Sequence, residues 1–167
     1  LGMIKGDIMN KKTVIFDLDG TLADIDIRRN KSLKPNGKLD WDIFAAPKSI
    51  LDWDKPNPPV IKMAQMFKAD GFKVVIFSGR NDRGFFATKK WLADNDVPFD
   101  LLVLRPDKFK ADSWPIADGN PATPDMRFMP DDILKKKMLD TFVDIDDVFV
   151  VVDDRQKVVD MWRDLGL

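Results

Sequence analysis

Thr13-Val14-Ile15-Phe16-Asp17-Leu18-Asp19-Gly20-Thr21 is the stretch on which the fold turns. Four apolar or β-branched residues in a row are too few for a helix and read as a strand buried on both faces. The switch to Asp17-Leu18-Asp19-Gly20 marks the carboxyl end of that strand. The signature recurs downstream: residues 74–77 run into Ser78-Gly79-Arg80, residues 101–104 form a third apolar run, and Val148–Val152 ends in Asp153-Asp154-Arg155.

Between these runs lie helical patterns. Asn57-Pro58-Pro59 opens one, with Val60, Met63, Ala64 and Phe67 at i, i+3, i+4 and i+7 and Gly71 as its stop. A second spans about 84–95 and buries Phe85, Ala87, Trp91 and Leu92. A third spans about 131–141, and a fourth runs from 156 to 165 with Gly166 closing it. Strands alternating with helices predict an α/β fold: a three-layer α/β/α sandwich on a central, mostly parallel sheet, with ligands at the carboxyl ends of the strands. The segment around Trp41, Phe44 and Trp53 carries no clear period. Residues 106–130 hold five prolines and read as a long irregular loop inserted in a single domain over 12–167. Residues 1–11 form an N-terminal extension, of which Leu1-Gly2 reads as an addition outside the fold.

Composition narrows the chemistry. The chain has 167 residues, 44% of them hydrophobic and 33% charged, with 27 Lys and Arg against 28 acidic residues. A net charge of -1 gives no global field for capturing nucleic acid or anionic lipid, so a polyanion must meet a local patch. No apolar run is long enough to span a membrane. With no His and no Cys, thiolate nucleophiles, Ser-His-Asp hydrolysis and His or Cys zinc sites are excluded. All 28 acidic residues are Asp, so the closing Glu of a calcium loop is absent too.

What remains is carboxylate, ammonium, guanidinium and hydroxyl chemistry. Asp17, directly after a buried strand, can attack phosphorus once a hard divalent cation offsets the phosphate charge. Asp19, two residues on across the Gly20 turn, can reach the same group from the leaving side and serve as proton donor and acceptor. Two carboxylates so close are driven apart in pKa, one ionised and one holding a proton. Thr21 can hydrogen-bond across the turn. Ser78 and the amides after it, beginning with Gly79, can hold a phosphate oxygen. Asp153 and Asp154 read as metal ligands, and one lysine of Lys135, Lys136 and Lys137 points into the cleft.

These clusters, in this order, resemble the haloacid dehalogenase (HAD) superfamily of phosphotransferases. The likeness is closer to the 3′-phosphatase domain of phage-type polynucleotide kinase-phosphatases. It is carried by residues 14–23, Ser78-Gly79-Arg80, Asp131-Asp132-Ile133-Leu134-Lys135, and Asp153-Asp154-Arg155 running into residues 158–163. The resemblance implies an aspartyl-phosphate on Asp17, general acid/base work by Asp19, and Lys135 as the lysine of the set. It implies Mg²⁺ held by the Asp17 side chain, the Asp19 carbonyl and Asp153, with Asp154 in support. Arg28, eleven residues after Asp17, together with Arg80 and Asp131, is implied in substrate binding or active-site support. No Walker loop is present, so no kinase domain is expected, and the chain ends at Leu167 where relatives continue into another strand.

The implied reaction is Mg²⁺-dependent removal of 3′-phosphates from nucleic acid ends, in the cytoplasm, or in the host cytoplasm if phage-encoded. Two alternatives stand beside it: a small-molecule phosphatase acting on mononucleotides or phosphosugars, and an inactive module that holds phosphorylated ends. For nucleic acid, Arg28, Arg29, Lys31, Arg80, Arg83, Arg105, Lys108, Lys110 and Arg127 form a candidate basic rim, with Phe109 and Trp114 as candidate stacking surfaces. Trp91 and Trp162 are expected in the core.

Overall fold

The computed structural model describes residues 10–107, 111–114 and 124–167. Residues 1–9 of the N-terminal extension, and Lys108, Phe109 and Lys110, lie outside the described residues. Among the described residues, six strands and seven α-helices follow in chain order: β1 (Thr13–Phe16), β2 (Ala23–Asp24), α1 (Asp26–Lys31), α2 (Trp41–Phe44), α3 (Pro47–Trp53), β3 (Lys55–Pro56), α4 (Pro58–Ala69), β4 (Lys73–Asn81), α5 (Phe85–Asp94), β5 (Leu101–Arg105), α6 (Asp131–Phe142), β6 (Val148–Val152) and α7 (Gln156–Asp164).

β1, β4, β5 and β6 make one parallel sheet in the order β5-β4-β1-β6. Because side chains alternate across a strand, each strand feeds two cores. Val14, Phe16, Val74, Ile76, Leu102 and Leu104 pack with Ile50, Ile61, Ala64, Trp91 and Leu92 from α3, α4 and α5. Ile15, Val75, Phe77 and Val103 pack the other way, with Leu134, Met138, Leu139, Val158 and Trp162 from α6 and α7. Three layers result, as the alternating pattern predicts, and full burial of each such side chain contributes about 1.5–3 kcal/mol. The chain steps outward from β1 to β4 and β5, then returns to place β6 on the other side of β1. That reversal opens a crevice at the carboxyl ends of β1 and β6.

Three local readings change. On α4, Val60, Ala64 and Phe67 pack on the core as expected, Ile61 joins them, and Met63 is exposed. The helix expected from 84 begins as a 3₁₀ turn at Asp82–Gly84, with Asn81 accepting from the Arg83 amide, and Phe85 is only partly buried. The stretch without clear period, around Trp41, Phe44 and Trp53, folds into α2 and α3, preceded by α1. Asp40 caps α2 by accepting from the Asp42 amide, and Pro47 starts α3 where its missing N–H has no cost.

Within 106–130, the described residues 111–114 pack on the end of β5. Trp114 is buried and donates from Nε1 to the Leu104 carbonyl (2.7 Å), while Ser113 Oγ accepts from the Leu104 amide (2.9 Å). Buried Asp82 accepts from the Asp112 and Ser113 amides and the Ser113 hydroxyl. These side chains occupy the free edge of β5, which would otherwise expose unpaired backbone groups. Trp114 is therefore a core residue and is removed from the stacking candidates. Pro124–Phe128 forms a second 3₁₀ turn. Among the described residues no helix is long and apolar enough to cross a membrane.

Candidate active site

Asp17 stands where β1 runs out. Its amide still donates to the Val152 carbonyl of β6 (2.9 Å), which fixes its backbone, and its side chain is free of the sheet. Oδ1 accepts from Lys135 Nζ (2.8 Å) and Oδ2 from the Thr21 hydroxyl (3.0 Å). Lys135 rises from the first turns of α6, is only 2% exposed, and donates equally to Asp153 Oδ2 at 2.8 Å. Lys136 and Lys137 point to solvent, Lys136 pairing with Asp140. Of the three lysines, the structure brings only Lys135 to Asp17.

Oxygens of Asp17, Asp153 and Asp154 lie within 4.8 Å of one another. The turn from β1 brings them together by close approach: Gly20 has φ +83°, and a Cβ there would sit 2.1 Å from Asp154 Oδ2. No side chain fits between that turn and Asp154. Three carboxylates at one point, with one ammonium among them, suit a hard divalent cation such as Mg²⁺. The Asp19 carboxylate is not in this group and turns toward Arg80 and Arg28.

Those two arginines are not the open rim that their loop positions imply. Arg28 and Arg80 are buried and are held by a residue the sequence did not mark, Asp54, the cap residue that follows α3. Asp54 Oδ1 accepts from Arg28 Nε (2.7 Å) and Oδ2 from Arg80 (2.8 Å), and its backbone carbonyl accepts from Trp91 Nε1 (3.0 Å). Two guanidiniums and two carboxylates thus form a closed network around Asp19. Nothing in the local sequence signals Asp54, because it lies in the aperiodic segment and its partners are 26 residues away in either direction.

The electrostatics separate the two catalytic candidates. Burial pushes the Asp17 carboxyl well above its ordinary value; the Lys135 ammonium opposes this and Asp153 adds to it. Burial would raise Asp19 too, but the Arg80 and Arg28 guanidiniums win and hold it below its ordinary value. Lys135 is kept above its usual value, Asp17 and Asp153 outweighing the effect of burial. The sequence reading expects two carboxylates driven apart in pKa, and the two shift in opposite directions: burial raises Asp17, and the guanidiniums lower Asp19.

Ser78 and Gly79 border the same space at the end of β4. Ser78 Oγ accepts from the Arg80 amide (3.1 Å), and a Cβ on Gly79 would meet Asp131 Oδ1 at 2.6 Å. Asp131, first residue of α6, is held by Arg105 and Arg155. Arg105 also donates to the carbonyls of Gly79, Met126, Arg127 and Met129, so it clamps the 3₁₀ turn against β4 instead of facing solvent. Lys31 lies over Trp53, away from the site. A cavity of about 800 Å³ opens above Asp17, Asp19, Ser78 and Lys135, and Arg29, Arg83, Arg127 and Arg155 are the cations left on its walls.

A family model described as the polynucleotide kinase PNKP phosphatase domain matches residues 11–167. Among solved structures, a chain of a Pnkp1/Rnl/Hen1 RNA repair complex is 31% identical with a TM-score of 0.63, over 93% of this chain and 40% of that one. A chain of a second Pnkp1/Rnl/Hen1 complex is 29% identical, also at 0.63, over 92% and 42%. The chain spans about two fifths of the length of these solved chains.

Proposed function

Because the chain belongs to the HAD-type phosphatase domain family of polynucleotide kinase PNKP, we propose that it is a Mg²⁺-dependent phosphomonoesterase that removes 3′-phosphates from nucleic acid ends through an aspartyl-phosphate on Asp17. The observation that carries this reading is the placement of Asp17: a buried carboxylate at a strand end, bonded to Lys135 and grouped with Asp153 and Asp154 on the floor of an open cavity. The relatives' RNA repair complex supports a nucleic acid substrate.

Asp17 attacks phosphorus and its carboxylate oxygen bonds to it while the bond from phosphorus to the 3′-oxygen breaks. The departing oxygen takes a proton from Asp19 and leaves as a 3′-hydroxyl. Water then gives a proton to Asp19 and attacks the aspartyl-phosphate, releasing inorganic phosphate and restoring the Asp17 carboxylate. The proton Asp19 gains in this step is the one it gives up in the next turnover, and the Arg28 and Arg80 guanidiniums make it a strong acid. Lys135 donates to phosphate oxygens as charge builds on them, with the Ser78 hydroxyl and Gly79 amide supporting. The Asp17, Asp153 and Asp154 side chains and the Asp19 carbonyl would hold Mg²⁺, which would supply the positive charge that lets an anionic nucleophile approach an anionic phosphate.

Phosphate release is measured with and without Mg²⁺ on a 3′-phosphorylated oligonucleotide, its 5′-phosphorylated counterpart and free 3′- and 5′-mononucleotides. The expected result is Mg²⁺-dependent release, fastest from the 3′-phosphorylated oligonucleotide. Equal or faster turnover of the mononucleotides overturns the nucleic acid reading in favour of a small-molecule phosphatase, and binding without turnover makes the chain an inactive end-holding module.

A further inference from the structure

Two aromatic side chains at the cavity mouth take no part in the phosphoryl chemistry. Trp41, the first residue of α2, is 63% exposed, and Phe128, the last residue of the Pro124–Phe128 turn, is 82% exposed; both line the cavity above Asp17. Exposure alone says little, since single apolar side chains are common on protein surfaces. What sets these two apart is their place on the wall of the cavity above Asp17, each with a neighbouring side chain against its ring.

Trp41 stands edge-on to Phe44, with ring centroids 5.4 Å apart and planes at 84°. The Arg28 guanidinium lies 4.4 Å over the Phe44 ring and donates to the Phe44 carbonyl at 2.8 Å. Arg28 is the side chain that holds Asp19. A chain of direct contacts therefore fixes the Trp41 indole relative to the acid/base group. Phe128 is backed from the other side: Arg127 covers its ring at 5.1 Å, and Arg105 grips the carbonyls of Met126, Arg127 and Met129 around it. Arg105 also binds Asp131, which packs on Gly79 beside Ser78. Among the described residues, the other exposed phenylalanines, Phe86 and Phe149, do not line the cavity and pack on Phe85 and on Phe67 and Phe72.

Exposed aromatic faces on the wall of the cavity that holds the phosphate-binding residues suit a flat π-system carried next to that phosphate. We propose that Trp41 and Phe128 receive the nucleobase of the nucleotide bearing the phosphate, so that the presence of a terminal base determines affinity. The proposal rests on the reading of the substrate as a phosphorylated nucleic acid end. Stacking uses the π-face that every base has, so the selection is for base over no base and not among the four bases.

The test compares a 3′-phosphorylated oligonucleotide with the same oligonucleotide ending in a 3′-phosphorylated abasic residue. In the wild-type protein kcat/KM favours the base-bearing end by about 10- to 100-fold, carried mainly by KM, since stacking away from the reacting atoms binds ground state and transition state alike. Trp41→Ala and Phe128→Ala each pull that ratio toward one, whereas Trp41→Phe retains most of it. Circular dichroism and melting of each variant show whether the fold is intact. A wild-type ratio near one, or a ratio unchanged in both alanine variants, overturns the proposal while release from both oligonucleotides leaves the phosphatase reading standing. Release from neither oligonucleotide strikes that reading itself and takes the base site with it.

Discussion

Three consecutive lysines, Lys135, Lys136 and Lys137, carry the same charge in the same helix, and only burial decides which one does chemistry. Lys135 is enclosed between Asp17 and Asp153, while Lys136 faces solvent with Asp140. Lys135→Ala is expected to lower kcat/KM by about 10²–10³-fold, the usual loss for a donor aimed at developing phosphate charge. It also costs about 3–5 kcal/mol of stability by leaving buried carboxylates uncompensated. Lys136→Ala removes an exposed pair worth less than about 1 kcal/mol and leaves turnover within about twofold. Steady-state kinetics and urea unfolding of both variants check this, and equal losses would contradict the assignment. At this scale Asp17, Asp19, Asp153 and Asp154 are legible as candidates because each closely follows an apolar strand, where a carboxylate needs a reason. Asp54 is not, since its role exists only through Arg28 and Arg80. The arginines were read in the right place with the wrong exposure, because a sequence window does not show which guanidiniums find buried carboxylates.

At the level of elements, the four sheet strands and the four longer helices follow from apolar runs and periodicity. The short helices α1, α2 and α3 do not. A helix of four to seven residues is unstable alone and takes its stability from tertiary contacts such as buried Arg28 and Ile50, which leave no local period to read. Joints between elements depend on single side chains in the same way. Asp100, just before β5, accepts from the Val74 amide of β4 (2.8 Å) and from Lys68 of α4 (2.6 Å). Burial would raise its pKa, but the Lys68 and Val74 hydrogen bonds hold it below the ordinary 3.8. A carboxyl lowered on folding stabilises the protein above its unfolded value, and that contribution disappears as pH falls through the lowered folded value. Asp100→Asn is therefore expected to cost about 0.5–1 kcal/mol near neutral pH, with the gap to wild type closing as pH falls through the lowered folded value. Urea unfolding across that range is the measurement, and a gap that stays constant would contradict the linkage.

Over the whole molecule, function follows from one feature of chain order. Adding β6 on the far side of β1 brings Asp153 and Asp154, more than 130 residues along the chain, against Asp17 at the crevice where the sheet reverses. The near-zero net charge is consistent with this arrangement, because three of the six arginines in the predicted rim, Arg28, Arg80 and Arg105, are spent inside it, holding Asp19, Asp54 and Asp131. The segment 106–130, unreadable beyond its prolines, closes the β5 edge with Ser113 and Trp114 and brings Phe128 to the cavity.

The central claim is that Asp17 is the side chain that carries the phosphoryl group between the two steps. Rapid acid quenching during turnover of a 3′-phosphorylated oligonucleotide with Mg²⁺, followed by peptide mapping in a mass spectrometer, tests it most directly. The account predicts a phosphorylated peptide whose modified residue is Asp17, absent in Asp17→Asn, which releases no phosphate. A phosphoryl group on any other residue, or phosphate release that persists in Asp17→Asn, would contradict it.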